Sequence, residues 1–514
     1  VRQHMVLIGP NDVGKSSLLR CLDLLLGAST GQLYNQITPE DLRESGRPFV
    51  VEADLCEFSN TEQALFPDEI TVDPNDEKEQ TLTIRLEASF DDLETLSVTR
   101  TVPNKNTGRQ LSREQLQAIG WTLLNANDRA RSMSNDRRSL LDDVLANVEL
   151  GDEQADFEDI IEKIGEKLQN SVALSELRGA MADQLSIALP ERVTQDDLTF
   201  VPGAAADNSV LKGVRLEVNK KSISEQSDGK RAIYAIALYD LISNGANIVA
   251  IDEPEIHLHP SSQRSLARLL KNGRNQKIIA THSPDIVSAF DPELIVSIRE
   301  GGEVIQPKSR ILDNDQRATL RWWVRNKLEP LTARHVVAVE GTADRIILER
   351  VAELTGHDLD RLGVSVIEAE GAGDMKVVWK LFGENGFNVP LSLLIDRDAV
   401  DRTANNIGVA QRNFSEHSIW ISERDLEEEY VKALDESLLW TTMQRSGAFS
   451  RNELKNVKCS GENGTPTKDD IAAFLRSKSK YKTQGAIMVA GMLDETVADK
   501  IKSIVDLLND IESA

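Results

Sequence analysis

The sequence predicts an α/β protein built from two successive parallel sheets, each threaded by helices. Three observations carry that prediction. A short apolar run, Met5-Val6-Leu7-Ile8, leads into a glycine-containing turn and then into helix formers. A second run, Ile248-Val249-Ala250-Ile251, ends in Asp252-Glu253. From His335 onward, apolar runs alternate with helical stretches, the pattern of parallel strands joined by crossover helices.

The first turn, Gly9-Pro10-Asn11-Asp12-Val13-Gly14-Lys15-Ser16, fits G-x-x-x-x-G-K-[ST]. A buried strand precedes it, and Ser17-Leu18-Leu19-Arg20-Cys21-Leu22 opens a helix after it. That context gives the pattern a mechanism. Gly9 and Gly14 let backbone N–H groups face one anion, and the helix N-terminus adds its dipole. Lys15 reaches the outer phosphates, and the Ser16 hydroxyl can ligate Mg²⁺. Gly9, Asn11, Gly14, Lys15, Ser16 and Ser17 are the candidate nucleotide contacts, with ATP and Mg²⁺ (or Mn²⁺) as cofactors.

Size and composition bound the rest. The 514 residues suggest three domains at roughly 150 residues each. Charged residues make up 28% and hydrophobic ones 40%, a soluble globular balance. A net charge of −25 argues, on composition alone, against a general nucleic-acid binder. Patchy charge and metal-binding carboxylates are both compatible with that total. Cys21, Cys56 and Cys459 lie far apart, which fits a reducing cytoplasm and excludes a disulfide framework or a cysteine zinc site. No apolar run approaches the ~20 residues of a membrane span. The chain begins Val1-Arg2 with eight residues ahead of the loop, so an opening strand or hairpin is expected to be missing.

After the first helix, residues 48–58, 80–90 and 93–102 alternate apolar and polar side chains, as half-exposed antiparallel strands do. Between 104 and 195 strand signals give way to helix formers, and Phe157, Ile160, Ile161, Ile164 and Leu168 share one helical face. This reads as a helical insertion serving support or dimerisation. Strands return at 197–201 and 213–218. Ser227-Asp228-Gly229 then stands ahead of a helical run at 232–243, as a capped, anion-facing N-terminus. Asp252 at its strand end is placed to hold Mg²⁺, and Glu253 to polarise the attacking water. The strand Lys277-Ile278-Ile279-Ala280 ends at Thr281-His282-Ser283, where His282 can hydrogen-bond a γ-phosphate. His257 and His259 read as loop residues, since no further ligands with metal spacing adjoin them. Short strands at 294–299 and 303–306 close this part, and Trp322 and Trp323 read as packing residues of a helix before Pro330.

The order of these segments resembles an ATP-binding-cassette ATPase of the SMC and RecF type. The resemblance implies two heads sandwiching ATP, hence a homodimer through the heads and the insertion. It assigns Ser227 and Gly229 to the partner's nucleotide, His282 as the switch histidine and Glu253 as the catalytic glutamate.

The second sheet begins with His335-Val336-Val337-Ala338-Val339, ending in Glu340-Gly341, and Thr342-Ala343-Asp344 opens a helix. A strand at 364–368 is followed by Gly371 and Gly373, then by a helix at 375–382. A third strand, Leu391-Ser392-Leu393-Leu394-Ile395, ends in Asp396-Arg397-Asp398. In parallel sheets the ligand site lies outside the carboxyl ends of the strands, so Glu340, Asp396 and Asp398 are expected at one rim with Asp344 a helical turn above. Carboxylates in one crevice repel unless cations neutralise them, and oxygen-only ligands suit Mg²⁺ or Mn²⁺. Metal-assisted phosphodiester hydrolysis is the matching chemistry.

This segment resembles a Toprim domain, with E-G and D-x-D at successive strand ends. An ABC-type head followed by Toprim is similar to the overcoming-lysogenisation-defect (OLD) family of ATP-dependent nucleases, over nearly the whole chain. The resemblance implies a DNA endonuclease in phage defence or DNA processing. It points to Glu427, in Arg424-Asp425-Leu426-Glu427-Glu428-Glu429-Tyr430, as a further metal ligand. It also points to a C-terminal lysine that stabilises transition-state charge, here Lys482 with Lys480 as the fallback. The alternative is a RecF- or SMC-like DNA-binding ATPase whose Toprim fold does not cut. Primer synthesis and strand passage lack, respectively, zinc-ribbon cysteines and a marked tyrosine. The expected division is 1–103 and 196–330 for the head, 104–195 for the insertion, 331–440 for Toprim and 441–514 for a helical C-terminal region.

Overall fold

The computed structural model describes residues 3–513 apart from 45, 74–75, 92–94, 104–109, 126–162, 190–191, 203–213, 223–225, 228, 231–232, 235–247, 274, 314–315, 317–327, 370–374 and 462–463. The chain forms two compact units, Val1–Gly302 and Glu303–Ala514.

In the first unit β1 (His4–Ile8) is buried along its whole length, as a strand covered on both faces should be. It runs into the glycine turn and α1 (Lys15–Leu26). Next come β2 (Phe49–Leu55), β3 (Asp76–Phe90) and β4 (Leu96–Thr101), an antiparallel sheet with Val51 opposite Leu86 and Leu86 opposite Arg100. Leu82, Ile84 and Leu86 of β3 pack with Leu24 and Leu25 of α1. Buried Arg100 donates to the carbonyls of Leu24, Leu25 and Ala28, satisfying groups that the end of a helix leaves open.

β5 (Trp121–Asn125), β6 (Ile248–Asp252), β7 (Gln276–Ala280) and β8 (Ile295–Ile298) join β1 in a parallel sheet, in the order β8-β1-β7-β6-β5. β5 corrects the expectation that strand signals vanish after residue 104. Its five residues are too few to show a period, and only pairing with β6, Leu124 opposite Ile251, reveals them as sheet. Helical structure does follow, as α2 (Val172–Ala188). Phe157, Ile160 and Ile161, most of the run at 232–243, Trp322 and Trp323 lie outside the described residues. The parallel order brings the carboxyl ends of β1, β7 and β6 to one rim. From β6 the chain turns through residues 253–259 into α3 (Pro260–Asn272).

The second unit is a parallel sheet of β9 (His335–Val339), β10 (Val364–Glu368), β11 (Leu391–Ile395) and β12 (Ile419–Ile421), in the order β10-β9-β11-β12. The fourth strand was not expected from the sequence, because Ile-Trp-Ile is too short to show a period. Around the sheet stand α4 (Thr342–Thr355), α5 (Met375–Phe382), α6 (Leu426–Ala433), α7 (Lys468–Arg476), α8 (Ser479–Ala490) and α9 (Lys502–Ser513). The C-terminal helices share a core with the sheet: Val337 and Val339 cluster with Ile347, Leu475, Val489 and Ile504. Gly485 lets α8 approach α7, since a Cβ there would stand 2.7 Å from Leu475 Cδ2. Among the described residues no helix is long and apolar enough to cross a membrane.

Candidate active sites

At the first rim, Gly9 closes against the sheet so tightly that a Cβ would meet Ile298 O at 2.3 Å. Gly14, at φ +102°, turns the chain into α1. Lys15 is buried, and its Nζ donates to the carbonyls of Gly9 at 3.1 Å and Pro10 at 2.6 Å. Burial lowers its proton affinity, against the opposing pull of Glu253 and Asp252. That pull places both acids of the β6 end in the electrostatic field of the loop lysine. Asn11, Ser16 and Ser17 are exposed along the same loop. Glu253 adopts φ +46°, unusual for a residue with a Cβ, and its N–H donates to Ala280 O at 2.9 Å. His282 stands one residue past Thr281, whose N–H donates to Leu7 O. Ser227 is exposed, while Gly229 is buried where a Cβ would meet His257 O at 2.6 Å. His259 caps α3 through Ser261 N and His257 is exposed, so both are turn residues.

At the second rim, the acids expected from separate strands do meet. The N–H of Asp396 donates to Glu340 Oε1 at 3.0 Å. Asp344, in the first turn of α4, accepts from Gly341 N at 2.9 Å. Glu427, in the first turn of α6, is 1% exposed, and its Oε1 is buried with no hydrogen-bond partner. Lys482 of α8 reaches in from the C-terminal helices. Its Nζ lies 3.2 Å from Glu427 Oε2 and 4.0 Å from Asp396 Oδ2. Lys480 points elsewhere, pairing with Glu453 at 3.0 Å. Asp398 is exposed, and its charge is felt at Glu340.

The electrostatics of this crevice are those of crowded anions. Burial, then Asp396, raises Glu340. Burial, then Asp396 and Glu427, holds Asp344 well above the ordinary carboxylate range. Burial is also the main cause of the upward shifts of Asp396 and Glu427. For Lys482 burial works against the charge, yet Glu427 and Asp396 outweigh it and raise its proton affinity. An orphaned buried carboxylate oxygen among acids that resist ionisation fits a divalent cation, which would satisfy the oxygen and relieve the repulsion. Among the described residues, no three such side chains stand close enough to form a ready-made cage.

Three participants escaped sequence reading. Ser422, at the end of β12, donates to Asp396 Oδ1 at 3.0 Å, and the N–H of Leu426 reaches the same oxygen at 3.2 Å. Arg476 of α7 bridges Asp425 and Glu428 on either side of Glu427. Glu255 accepts from Thr281 and His282 at the first rim. Ser422 follows an apolar run, as a strand-end residue should. The other two carry no local mark.

Comparison with known proteins bears on both units. A family model for the AAA domain of the AbiEii toxin and Type IV TA system kind matches residues 5–288. A model for the overcoming-lysogenization-defect-protein-like TOPRIM domain matches residues 331–398. The OLD nuclease of Thermus scotoductus is 23% identical over 435 residues, covering 76% of this chain and 77% of that protein. Among solved structures, the C-terminal region of the Xanthomonas campestris OLD protein aligns at 22% identity and TM-score 0.30, over 36% of this chain and 97% of that one. The SMC head domain from Thermotoga maritima aligns at 12% identity and TM-score 0.31, over 60% of this chain and 91% of that one.

Proposed function

The chain belongs to the AAA-domain ATPase family and carries an OLD-like Toprim domain, and from that premise we propose that this ATPase–nuclease is a divalent-metal-dependent DNA endonuclease whose cutting is regulated by ATP. The observation that carries the proposal is the second rim. Four acids from β9, α4, β11 and α6 resist ionisation together, and Glu427 keeps a buried oxygen without a donor.

Glu340, Asp344, Asp396, Asp398 and Glu427 would hold the metal, which when bound stabilises the attacking and leaving oxygens of a phosphodiester. Ser422 and the Leu426 N–H engage Oδ1 of Asp396 and leave Oδ2 facing the crevice. Lys482 brings a positive charge toward the negative charge that grows on the phosphate. In the head, loop N–H groups and Lys15 would bind the phosphates, Ser16 and Asp252 would hold Mg²⁺, Glu253 would orient water and His282 would face the γ-phosphate. Ser227 and Gly229 complete the nucleotide site of a second copy, which makes a homodimer the working unit. Phage defence or DNA processing is the matching biological role, in the cytoplasm.

Supercoiled plasmid incubated with Mg²⁺ or Mn²⁺, with and without ATP, tests the reading. Relaxed or linear product is expected. Glu340→Ala and Asp396→Ala are each expected to abolish cutting while ATP binding persists, and full activity in both variants would remove the proposed site.

A further inference from the structure

The turn between β6 and α3 contains an acid that the nucleotide chemistry above does not use. Glu255 reaches from this turn across to the end of β7. Its Oε2 accepts from Thr281 Oγ1 at 2.8 Å, and its Oε1 accepts from the backbone N–H of His282 at 2.6 Å. Thr281 is fully buried, and its own N–H is tied to Leu7 O on β1. Burial raises the proton affinity of Glu255 despite both bonds. Glu255 is half-buried, and a carboxylate that accepts two charge-assisted hydrogen bonds from adjacent residues fixes them strongly.

The turn is rigid around this acid. Glu253 and His257 both sit at positive φ, +46° and +63°. Leu258 N donates to Glu255 O at 2.9 Å. Gln263 of α3 ties Leu258 O to the Ser283 hydroxyl at 2.9 and 2.6 Å. The ends of β6 and β7 are therefore joined twice beyond the sheet, and the Glu255 link lands on the main chain of His282 itself. Past the end of β7 His282 has no strand pairing of its own: Thr281 before it is tied to Leu7 O, Ser283 after it is held by Thr281 Oγ1 and Gln263, and the N–H of His282 itself is held by the Glu255 carboxylate.

We propose that Glu255 is a positioning residue for nucleotide hydrolysis: by clamping Thr281 and His282 to the turn that carries Glu253, it sets the histidine and the water-orienting glutamate in fixed relation. The inference rests on the ATPase reading of the head. A carboxylate suits this place because two donors from adjacent residues converge on it, one on each oxygen. Both carboxylate oxygens of Glu255 are engaged by Thr281 and His282, and its charge is felt at Lys15 less than those of Glu253, Asp252 and Asp12, so its loss is expected to fall on the rate of the chemical step more than on nucleotide affinity.

The test uses the full chain, with steady-state ATP hydrolysis for kcat and KM and a fluorescent ATP analogue for affinity. Glu255→Ala is expected to lower kcat about 100-fold, the scale of an ångström-sized misplacement, with affinity within about twofold of the parent. Glu255→Gln is expected to recover to within about fivefold of the parent. Its amide oxygen still accepts from His282 N, and its NH₂ can donate to Thr281 Oγ1. Thr281→Val, which removes one of the two bonds, is expected near a tenfold loss in kcat, on the order of one such bond. Parental turnover in Glu255→Ala overturns the proposal, as does parallel loss of affinity and turnover, or a Gln variant as slow as Ala. If Glu255→Ala does not fold, Thr281→Val decides, and a rate within about twofold of the parent overturns the clamp. A parent chain that binds ATP without hydrolysing it removes the ATPase reading, and the clamp with it; a hydrolysing parent with an unaffected variant removes the clamp alone.

Discussion

Replacing Lys482 by Met probes the acid crevice more directly than removing any one acid. The Lys482 ammonium lies 3.2 Å from Glu427 Oε2 and 4.0 Å from Asp396 Oδ2. At an effective dielectric of about 20, those separations correspond to gross attractions of about 5 and about 4 kcal/mol. Neither survives intact. The lysine side chain is 33% exposed and screened in proportion, while Glu427, 1% exposed, has already lost its hydration. Removing one partner of a buried pair costs ~3–5 kcal/mol, and discounting for the exposed lysine leaves ~2–3 kcal/mol. In a unit of roughly 200 residues that lowers the melting temperature by about 5–10 °C. The sign with pH follows from the acids. Burial already raises Glu340, Asp344, Asp396 and Glu427, and loss of Lys482 raises Asp396 and Glu427 further. A group whose folded pKa lies above its unfolded value contributes stability that is present below the unfolded pKa and lost as pH rises through the folded one. The deficit of Lys482→Met therefore widens from mildly acidic pH to pH 8. Millimolar Mg²⁺ should narrow it, because a divalent ion supplies the missing positive charge. Melting curves at both pH values, with Mg²⁺ and with EDTA, read all of this. A variant that melts with the parent at pH 8 in EDTA, or one whose deficit Mg²⁺ leaves untouched, refutes the reasoning.

Two further outcomes are expected. ATP at a hundred times its dissociation constant should stabilise the parent by ~2.7 kcal/mol, and Lys15→Ala should abolish that gain; an ATP-induced melting shift that persists in the variant would place the nucleotide elsewhere. Ser422→Ala removes the hydroxyl that holds Asp396 Oδ1 and should weaken metal response or cutting ~10–100-fold, read by titrating Mn²⁺ in the plasmid assay, whereas an unchanged titration would reduce Ser422 to packing.

Residues that lie next to their own strand end were legible, because strand, turn and helix are written in consecutive residues. Gly9 to Ser16, Asp252-Glu253 and the Glu340, Asp396 pair all belong to that kind. What escaped is defined by pairing across long separations. β5 and β12 are too short to show a period, and only their partners β6 and β11 mark them as strands. Ser422 was lost along with β12. Glu255 looked like one more acid in a turn, since nothing near it in sequence announces Thr281 as its donor. The choice between Lys480 and Lys482 shows the same limit. Two residues on a helix point roughly 200° apart, so one can enter the crevice and the other cannot, but only the docking of α8 decides which. Lys480 meets Glu453, and Lys482 meets Glu427.

The acidity of the chain then becomes a constraint on mechanism. With 84 acidic residues against 59 basic ones, DNA meets no net attraction at long range, and at the acid crevice, among the described residues, Lys482 alone offsets several acids, which leaves little to attract a phosphate before a divalent ion binds. Positive charge at the rim is local. Arg397, between the two aspartates, is exposed and anchored through Nε to the carbonyl of Glu423. DNA binding should therefore depend on a divalent ion bound at the same acids, and not only cleavage. Ca²⁺, which accepts the same oxygen ligands, should raise affinity for duplex DNA at least about tenfold over EDTA, while the dependence on monovalent salt stays shallow because few phosphates meet lysine or arginine. Asp396→Ala should erase the Ca²⁺ effect. Equal affinity in Ca²⁺ and EDTA, with a steep salt slope, would mean that DNA is held on a basic surface away from the crevice, and the acids would then have to receive a strand delivered from elsewhere.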